Sequence, residues 1–244
     1  MKKALFVVGT LLLSSSAFST NDGIHWDYSG EAGPDHWAKL DPGYAACAGR
    51  NQSPINLTKL IEAELEPVVF SYESNGSEIL NNGHTVQVNV SPGSGILVDG
   101  VRFELKQFHF HVPSENLLNG QSFPMEAHLV HTDQDGNIAV VAILFSEGKA
   151  NPALEKAWAQ MPKKEGDKLA LSSSVSPLGI LPTNRDYYRY NGSLTTPPCS
   201  EGVRWLVMKN PVSASKEQIE EFAHIMHHPN NRPVQAVNAR PVLK

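Results

Sequence analysis

Two short segments of the sequence, Gln107–His111 and Met125–His131, carry histidines whose spacing suits a metal site. Because alternate residues of a strand share a face, His109 and His111 point the same way, and the second segment contributes His128. If the residues between the segments connect two antiparallel strands, three imidazoles converge. Three neutral nitrogens with one open coordination position are the ligand set of a catalytic zinc site, whereas four protein ligands close a structural one. The spacing predicts a mononuclear metal site.

The same alternation places a polar residue on the metal side two positions before two of the histidines. Gln107 precedes His109 in this way, and Glu126 precedes His128. Each can accept a hydrogen bond from a ring N–H and so fix which ring nitrogen faces the metal. His131 is out of phase with His128, and we expect it in the core without a metal.

Two other interpretations of these residues stay open at this point. His109-x-His111-xxx-Glu115 also matches the first half of a cupin metal motif, in which Glu115 would be a metal ligand. Against this, the segment Pro124–His128 lacks the glycine that usually precedes the later cupin histidine. The second alternative is a binding domain on the same scaffold without catalysis. Such domains typically lose one or more metal histidines, and none is missing here.

The elements that must position these residues are mostly short strands separated by turns. Apolar and β-branched runs alternate with Gly, Asn, Asp and Pro, which is typical of strands and tight turns. The runs are Val68–Tyr72, Thr85–Val90, Gly95–Val98, Arg102–Leu105 and Ile138–Phe145. A helical pattern covers only Asn151–Gln160 and Ser215–His227, and Ser215 and Gln218 have the spacing of a capping box. The pattern predicts one mainly β domain on a large sheet with a few short peripheral helices.

The first residues have the order of a secretory signal peptide. Lys2 and Lys3 precede the apolar run Ala4–Leu13, and small residues follow. Cleavage is therefore expected after Ser19, which leaves residues 20–244 as the mature domain. The apolar run is too short for a membrane anchor, which needs about 20 residues, and no later segment is apolar enough. We expect an exported protein without a membrane anchor.

Charge and cysteine content fit an exported protein. Without Lys2 and Lys3 the chain keeps 18 basic side chains against 25 acidic ones, a net charge of −7. It therefore lacks the basic patch that nucleic acid or an anionic membrane would require of a partner. Cys47 and Cys199 most simply form a disulfide in an oxidising compartment. Two unpaired buried thiols are the alternative.

The order of several motifs resembles the α-class carbonic anhydrases, in the form found in bacteria. The motifs begin at His25-Trp26 and continue with Gly49–Asn56, Leu80–His84, Gln107–His111, Ser114-Glu115, Glu126–His131, Asn191–Cys199 and Asn231–Gln235. The resemblance implies a single domain on a large, mostly antiparallel, twisted central sheet. It also implies an exported enzyme, of the bacterial periplasm or secreted, that hydrates carbon dioxide reversibly to bicarbonate and a proton, and bacterial relatives suggest a homodimer.

The resemblance also implies roles for individual residues. One zinc ion per chain would be bound by His109, His111 and His128, and the hydroxide on that ion would attack carbon dioxide. Thr195 would accept the hydrogen of this hydroxide and pass its own hydrogen to Glu115. Glu115 would then act beside the metal and not as a ligand, which disagrees with the cupin interpretation.

The remaining implied roles concern the substrate and the proton. Thr196 would line the substrate side, and the apolar pocket for carbon dioxide would consist of Val130, Val140, Leu194 and Trp205. His84 would carry protons between the metal site and buffer, although its place after Asn82-Gly83 would by itself indicate only a surface turn. The waters on this path would be ordered by Tyr28, Asn82 and Gln87, the last of which is more often Asn in the family.

Overall fold

The computed structural model describes residues 24–244. The predicted signal peptide, residues 1–19, and its cleavage after Ser19 lie outside the described residues. Within residues 24–244, no helix combines the length and the apolar character that crossing a bilayer would require.

Strands dominate the described chain, and its helices are few and short, as the sequence predicts. The strands are β1 (Asn56–Leu57), β2 (Val69–Ser71), β3 (Gly76–Asn81), β4 (Val86–Val90), β5 (Gly95–Val98), β6 (Val101–His111), β7 (Leu117–Leu118), β8 (Met125–Thr132), β9 (Ile138–Glu147), β10 (Lys168–Ala170), β11 (Tyr187–Ser193), β12 (Glu201–Met208) and β13 (Val212–Ala214). The α-helices are α1 (Trp37–Leu40), α2 (Pro152–Trp158) and α3 (Lys216–Met226), and 3-10 turns cover Gly30–Ala32, Pro42–Ala48 and Pro177–Ile180. Helix α1 and the 3-10 turns were not predicted, because they are too short to show a helical period.

One mixed sheet contains eleven of these strands. Its central path runs β10-β3-β4-β6-β8-β9-β12-β11, with β13 beside β9, β5 beside β6 and β2 beside β5. Most neighbours are antiparallel, but β9 is parallel to both β12 and β13. The predicted large, mostly antiparallel sheet is confirmed, and the parallel pairs are an addition to it. Strands β1 and β7 form a separate parallel pair.

The central strands are buried on both faces. On one face, Phe110 contacts Trp158 of α2 and Phe222 of α3, with ring centroids 4.8 and 5.9 Å apart, inside the larger apolar core. On the other face, Val140 of β9 belongs to a second apolar cluster. A strand that is buried on both faces has a nearly continuous apolar sequence, which explains the run Ile138–Phe145. Each such buried side chain stabilises the fold by about 1.5–3 kcal/mol, so the strands that carry the site are firmly held.

Helices α2 and α3 are joined at their N-termini. Ser215 Oγ accepts from Gln218 N at 3.2 Å and Gln218 Oε1 accepts from Ser215 N at 3.1 Å, so the predicted capping box is confirmed. The Gln218 side chain also bonds the main-chain N–H and C=O of Asn151, the N-cap of α2, at 2.8 and 2.9 Å. This contact fixes α3, and the segment that follows α3 leads to the metal site.

Candidate metal centre

A β-bulge in β6 turns two histidine rings toward the site. Leu105 and Phe108 both point into the larger core although they are three positions apart, because Lys106 is an extra residue that strand β8 does not match. Bulges of this kind re-aim side chains. Straight alternation from Leu105 would send His109 and His111 into the core, so the bulge is what directs these rings to the opposite face.

The three predicted ligands converge on one point. His109 lies directly opposite His128 in the antiparallel β6–β8 pair, and His111 follows on the same face of β6. The ligand atoms of the three rings all lie within 4.8 Å of one another, and the ring centroids are 4.5–5.4 Å apart. Among the residues that the structure describes, this is the one such group of potential ligands, and it contains no carboxylate.

Two of the rings are oriented by the residues that strand alternation indicates. His109 Nδ1 lies 2.8 Å from Gln107 Oε1, and His128 Nε2 lies 2.9 Å from Glu126 Oε1. A ring N–H that donates to such an acceptor fixes the tautomer, so the other nitrogen presents its lone pair. His109 therefore offers Nε2 to the site, whereas His128 offers Nδ1.

The third ring, His111, has an acceptor that the sequence does not suggest. Its Nδ1 lies 2.7 Å from the main-chain oxygen of Asn230. Its Nε2 is buried and has no hydrogen-bond partner within the described chain. A buried polar atom without a partner costs about 1–3 kcal/mol, and a metal ion bound to Nε2 would remove that cost. This unpartnered nitrogen, facing two others, shows that the residues present fit a metal ion.

The three rings are held in the neutral form that binds metals. Burial lowers the pKa of His111 and lowers the pKa of His109 and His128 well below the usual value, and the neighbouring His111 adds to the effect on both. A neutral imidazole has a lone pair for a cation, and imidazole nitrogen is a common ligand of zinc. The donor set therefore suits one zinc ion.

Glu115 and Thr195 lie beside the triad. Glu115 is fully buried, and its Oε1 accepts from the main-chain N–H of Arg232 at 2.8 Å. Its Oε2 is 3.8 Å from His128 Nδ1 and has no hydrogen-bond partner among residues 24–244. Burial raises the pKa of Glu115 to about 8, against the lowering effects of the Arg232 amide and the Thr195 hydroxyl. The cupin interpretation needs this carboxylate as a ligand, and the group of potential ligands does not contain it.

The loop that carries Thr195 is held by a disulfide. Cys47 and Cys199 are bonded, with their Cα atoms 4.9 Å apart, so the predicted pairing is confirmed and the alternative of two free thiols is wrong. Within the loop, Cys199 N donates to Thr196 O at 2.8 Å. From outside it, Gln52 Nε2 donates to Cys199 O at 3.1 Å. The segment around Thr195 is therefore fixed both covalently and by hydrogen bonds.

The four apolar residues predicted to hold the substrate lie in one cluster next to His128. Val140 and Trp205 are buried in the second apolar cluster, and Val130 and Leu194 pack against it from the partly exposed side. The Trp205 and His128 ring centroids are 4.8 Å apart. An apolar wall thus adjoins the point where the three ring nitrogens meet.

A cavity of about 130 Å³ connects the triad with the rim of the site. It brings together predicted residues from several elements, namely Tyr28, Asn82, His84, Gln87, Gln107, His109, His111 and Thr196. The Gln87 amide nitrogen donates to Asn89 Oδ1 at 2.7 Å, and among residues 24–244 no group donates to the oxygen of this side chain. The cavity has room for a few water molecules between the triad and His84.

His84 lies at this rim on a turn. Asn82 Oδ1 accepts from the His84 N–H at 3.0 Å, and the half-buried ring stacks on Trp26, with centroids 3.7 Å apart and planes 9° apart. Burial lowers the pKa of His84. The imidazole is therefore mostly neutral at pH 7 and able to accept a proton.

Three residues of the site were missed by the sequence analysis. They are Trp26, which stacks on the ring of His84; Asn230, the acceptor for His111; and Arg232, which holds Glu115. The Arg232 guanidinium also donates to Cys47 O at 3.0 Å, and so joins Glu115 to the disulfide loop. The motif Asn231–Gln235 was noticed as family-like, but its position after a helix gave no sign of these contacts.

The chain is similar to carbonic anhydrases in sequence and in structure. The family model described as eukaryotic-type carbonic anhydrase matches residues 32–244. A carbonic anhydrase of Pectobacterium carotovorum is 48% identical over 244 residues, which is 100% of each chain. The α-carbonic anhydrase of Thermovibrio ammonificans, solved with the inhibitor sulfanilamide, has a TM-score of 0.89 and 53% identity over 91% of this chain and 100% of that one. The α-carbonic anhydrase of Photobacterium profundum has a TM-score of 0.86 and 47% identity over 90% of this chain and 100% of that one.

Proposed function

Because this chain belongs to the eukaryotic-type carbonic anhydrase family, we propose that it hydrates carbon dioxide reversibly to bicarbonate and a proton with one zinc ion held by His109, His111 and His128. The observation that carries the proposal is the convergence of three neutral rings whose free nitrogens lie within 4.8 Å of one another. When bound, zinc supplies hydroxide at neutral pH, because the pKa of its water falls from about 15.7 to about 7 in carbonic anhydrase itself.

Neutral ligands are essential to this chemistry. Imidazoles leave the charge of the cation undiminished, whereas a carboxylate ligand would offset it and leave the water less acidic. The buried Glu115 stays outside the ligand group, and Gln107 and Glu126 act through His109 and His128, whose tautomers they fix. Burial alone raises the pKa of Glu115 to about 8, and a zinc ion bound beside it would lower that pKa and favour the carboxylate. The negative charge would then stand near the cation without being one of its ligands.

Thr195 and Glu115 orient the nucleophile. Glu115 Oε1 is occupied by the Arg232 amide, while Oε2 is left to accept the hydrogen of the Thr195 hydroxyl. With its own hydrogen directed to Glu115, the Thr195 oxygen would be left to act only as an acceptor toward a group bound at the triad. Thr195 would thereby orient the nucleophile that a bound zinc ion supplies, and its own position is set before the reaction begins.

The substrate is held without a charged group. Carbon dioxide carries no net charge, so an apolar wall of Val130, Val140, Leu194 and Trp205 can hold it, with Thr196 on the open side. Bicarbonate is charged and leaves such a wall readily. Binding of this kind is weak, and it favours rapid release of product.

The proton leaves through His84. A histidine can both accept and release a proton near neutral pH, and the cavity that His84 shares with Tyr28, Asn82 and Gln87 gives water a path to it. The role of Gln87 is the least typical, since Asn is more common at this position in the family. The amide of Gln87 is held by Asn89, which leaves its oxygen to order a water.

We infer that the enzyme works after export, in a bacterial periplasm. The Cys47–Cys199 bond is of the kind that persists in oxidising compartments, and the similar carbonic anhydrase of Pectobacterium carotovorum is bacterial. Mass spectrometry of the mature protein tests this, and an N-terminus directly after Ser19 is the expected result.

The proposed reaction is tested by Thr195→Ala in the zinc-loaded protein. Loss of one oriented hydrogen-bonding group should lower carbon dioxide hydration about 10²-fold, whereas zinc should stay at one ion per chain. Stopped-flow acidification and metal analysis measure the two quantities. Thr132→Ala, at the outer end of β8, is the matched control and should keep both. Zinc bound without any hydration by the unmodified protein would favour a binding domain and contradict the proposal.

A further inference from the structure

The side chain of Asn230 joins two parts of the site. Asn230 follows helix α3 and is completely buried. Its Nδ2 donates to the main-chain oxygens of His84 at 3.0 Å and Phe110 at 2.9 Å, and its Oδ1 accepts from Val112 N at 2.7 Å. Every polar atom of the side chain is used, and the bonds span the turn of His84 and the end of β6.

The side-chain amide of Asn230 lies next to the end of the β4–β6 pairing. The β4–β6 pairing ends with Gln87 opposite His109, so beyond that point no main chain of β4 faces the end of β6. The Thr85 hydroxyl takes over there, since it donates to Phe110 O at 2.6 Å and accepts from Phe110 N at 3.2 Å. The amide of Asn230 adds a second bond to Phe110 O and is the group that ties it to the main chain of His84. Its main-chain oxygen also holds His111. One residue thus contacts both a ring of the triad and the turn at the rim.

We propose that the side chain of Asn230 is a positioning residue for proton transfer, which sets the place of His84 relative to the triad. The inference rests on the function proposed above for His84. The ring of His84 makes no hydrogen bond among the described residues and rests on Trp26, so its place follows from its main chain. Misplacement by about 1 Å can lower a rate about 10²-fold. Loss of the amide should therefore slow proton transfer more than attack on carbon dioxide.

The first test is turnover in weak buffer with and without added imidazole. Asn230→Ala removes the amide but keeps the main-chain oxygen that holds His111. Turnover in weak buffer should fall about 10-fold, which is less than the typical contribution of a general acid–base group because buffer takes over part of the proton transfer, and imidazole should restore it. The ratio kcat/KM should change much less, and zinc should stay at one ion per chain. Asn230→Asp keeps the Oδ1 acceptor for Val112 but has no amide donor for His84, so it should show the same pattern if Asn230→Ala does not fold.

A matched control separates positioning from stability. Asn151 is also a buried asparagine, and its side chain caps α2 by accepting from Ala153 N and Leu154 N. Asn151→Ala should lower the melting temperature, and it should leave the ratio of turnover with and without imidazole unchanged. A purely structural role of Asn230 would give the same result as this control.

A second measurement does not depend on activity. The His84 ring is stacked on the indole of Trp26, with ring centroids 3.7 Å apart, so the ring current of the indole should shield the His84 ring protons in an NMR spectrum of the metal-free or zinc-loaded protein. The shielding should be lost in both Asn230 variants and kept in Asn151→Ala. Unchanged shielding together with unchanged buffer dependence would overturn the proposal. If His84→Ala itself did not respond to imidazole, the proton-transfer role of His84 would fail, while the shielding would still report whether Asn230 holds the ring.

Discussion

Each ring of the triad gives one nitrogen to a fixed acceptor at 2.7–2.9 Å, and strands at the centre of the sheet carry the three rings. The ring of His84 has no hydrogen bond among the described residues. It lies half-buried against Trp26, on a turn that precedes β4. Histidine side chains are therefore held in two different ways in this site: by hydrogen bonds in the triad, and by stacking at the rim.

This difference separates binding a cation from moving a proton. A ligand ring must keep one tautomer and one orientation, and a fixed acceptor enforces both. A ring that transfers protons works best when both nitrogens are free and its pKa is near neutral. Zinc binding should therefore be lost when any one ring of the triad is removed. Changes at the rim should instead lower the rate of proton transfer only in part. The predictions below test this contrast.

The largest effect should follow from removing one ring of the triad. In His111→Ala the zinc ion would keep only two protein ligands, and we expect it to be lost on dialysis, because a catalytic zinc site needs three. Carbon dioxide hydration should fall to the uncatalysed background. Metal analysis and stopped-flow acidification measure both losses.

His131 provides the control for this variant, since it is another buried histidine of strand β8. Its Nε2 lies 2.8 Å from the hydroxyl of Tyr72 and its Nδ1 lies 3.2 Å from Ala139 O, on the side away from the triad. His131→Gln should keep zinc and hydration. Loss of zinc from His131→Gln would mean that burial in β8, and not ligation, holds the ion.

Sequence alternation separated His128 from His131, but it could not place every partner of the triad. Within Met125–His131 the strand is regular, so the period of two is enough. The bulge at Lys106 breaks that period within β6. Alternation therefore predicts the common face of Gln107, His109 and His111 correctly only because all three residues follow the bulge. The acceptor of His111 is 119 residues away in the sequence, at Asn230. Local pattern does not encode a contact of that kind.

The sheet shows the same division between local and distant information. Apolar runs and turn residues were sufficient to predict most of the central strands and the two longer helices. The parallel pairing of β9 with β12 and β13 depends on how the chain crosses the sheet, which no local run reveals. Trp26 could not be assigned to the rim for the same reason, because its partner His84 lies on another part of the chain.

Reduction of the Cys47–Cys199 bond tests whether the loop that carries Thr195 is held as rigidly as the three rings of the triad. The bond closes a loop of 152 residues, which restricts the unfolded chain by up to about 5 kcal/mol in the entropic account. The melting temperature should drop on reduction. Hydration should fall more than the zinc content, because Thr195 is only four residues before Cys199. Scanning calorimetry and stopped-flow assays provide the measurements. The double variant Cys47→Ser/Cys199→Ser excludes an effect of the reductant on zinc. Full activity in that variant would show that the disulfide is not needed to hold Thr195 in place.

The buried His131 should make the free energy of unfolding fall as the pH is lowered. Burial lowers the pKa of His131 from 6.5 to about 4. As the pH falls, the unfolded chain takes up this proton first, so the stabilisation is complete above about pH 6.5, declines between pH 6.5 and 4, and changes no further below. The loss from this group amounts to about 3 kcal/mol. Urea unfolding at pH 7 and pH 4.5, compared between the unmodified protein and His131→Gln, isolates it. Equal pH dependence in the two proteins would contradict the assignment.

The smallest effect should come from the rim. His84→Ala leaves the triad and Thr195 in place, so kcat/KM and zinc content should stay close to those of the unmodified protein. Turnover in weak buffer should fall about 10-fold, because proton release becomes limiting, and added imidazole should restore it. His224→Ala, which removes an exposed histidine of α3, should leave the buffer dependence unchanged. Imidazole should restore nothing to His111→Ala, since a free ring can carry a proton in solution but is not held by the acceptor that fixes a ligand. If imidazole restored turnover to both His84→Ala and His111→Ala, or to neither, the distinction between a proton-transfer histidine and a ligand histidine would be contradicted.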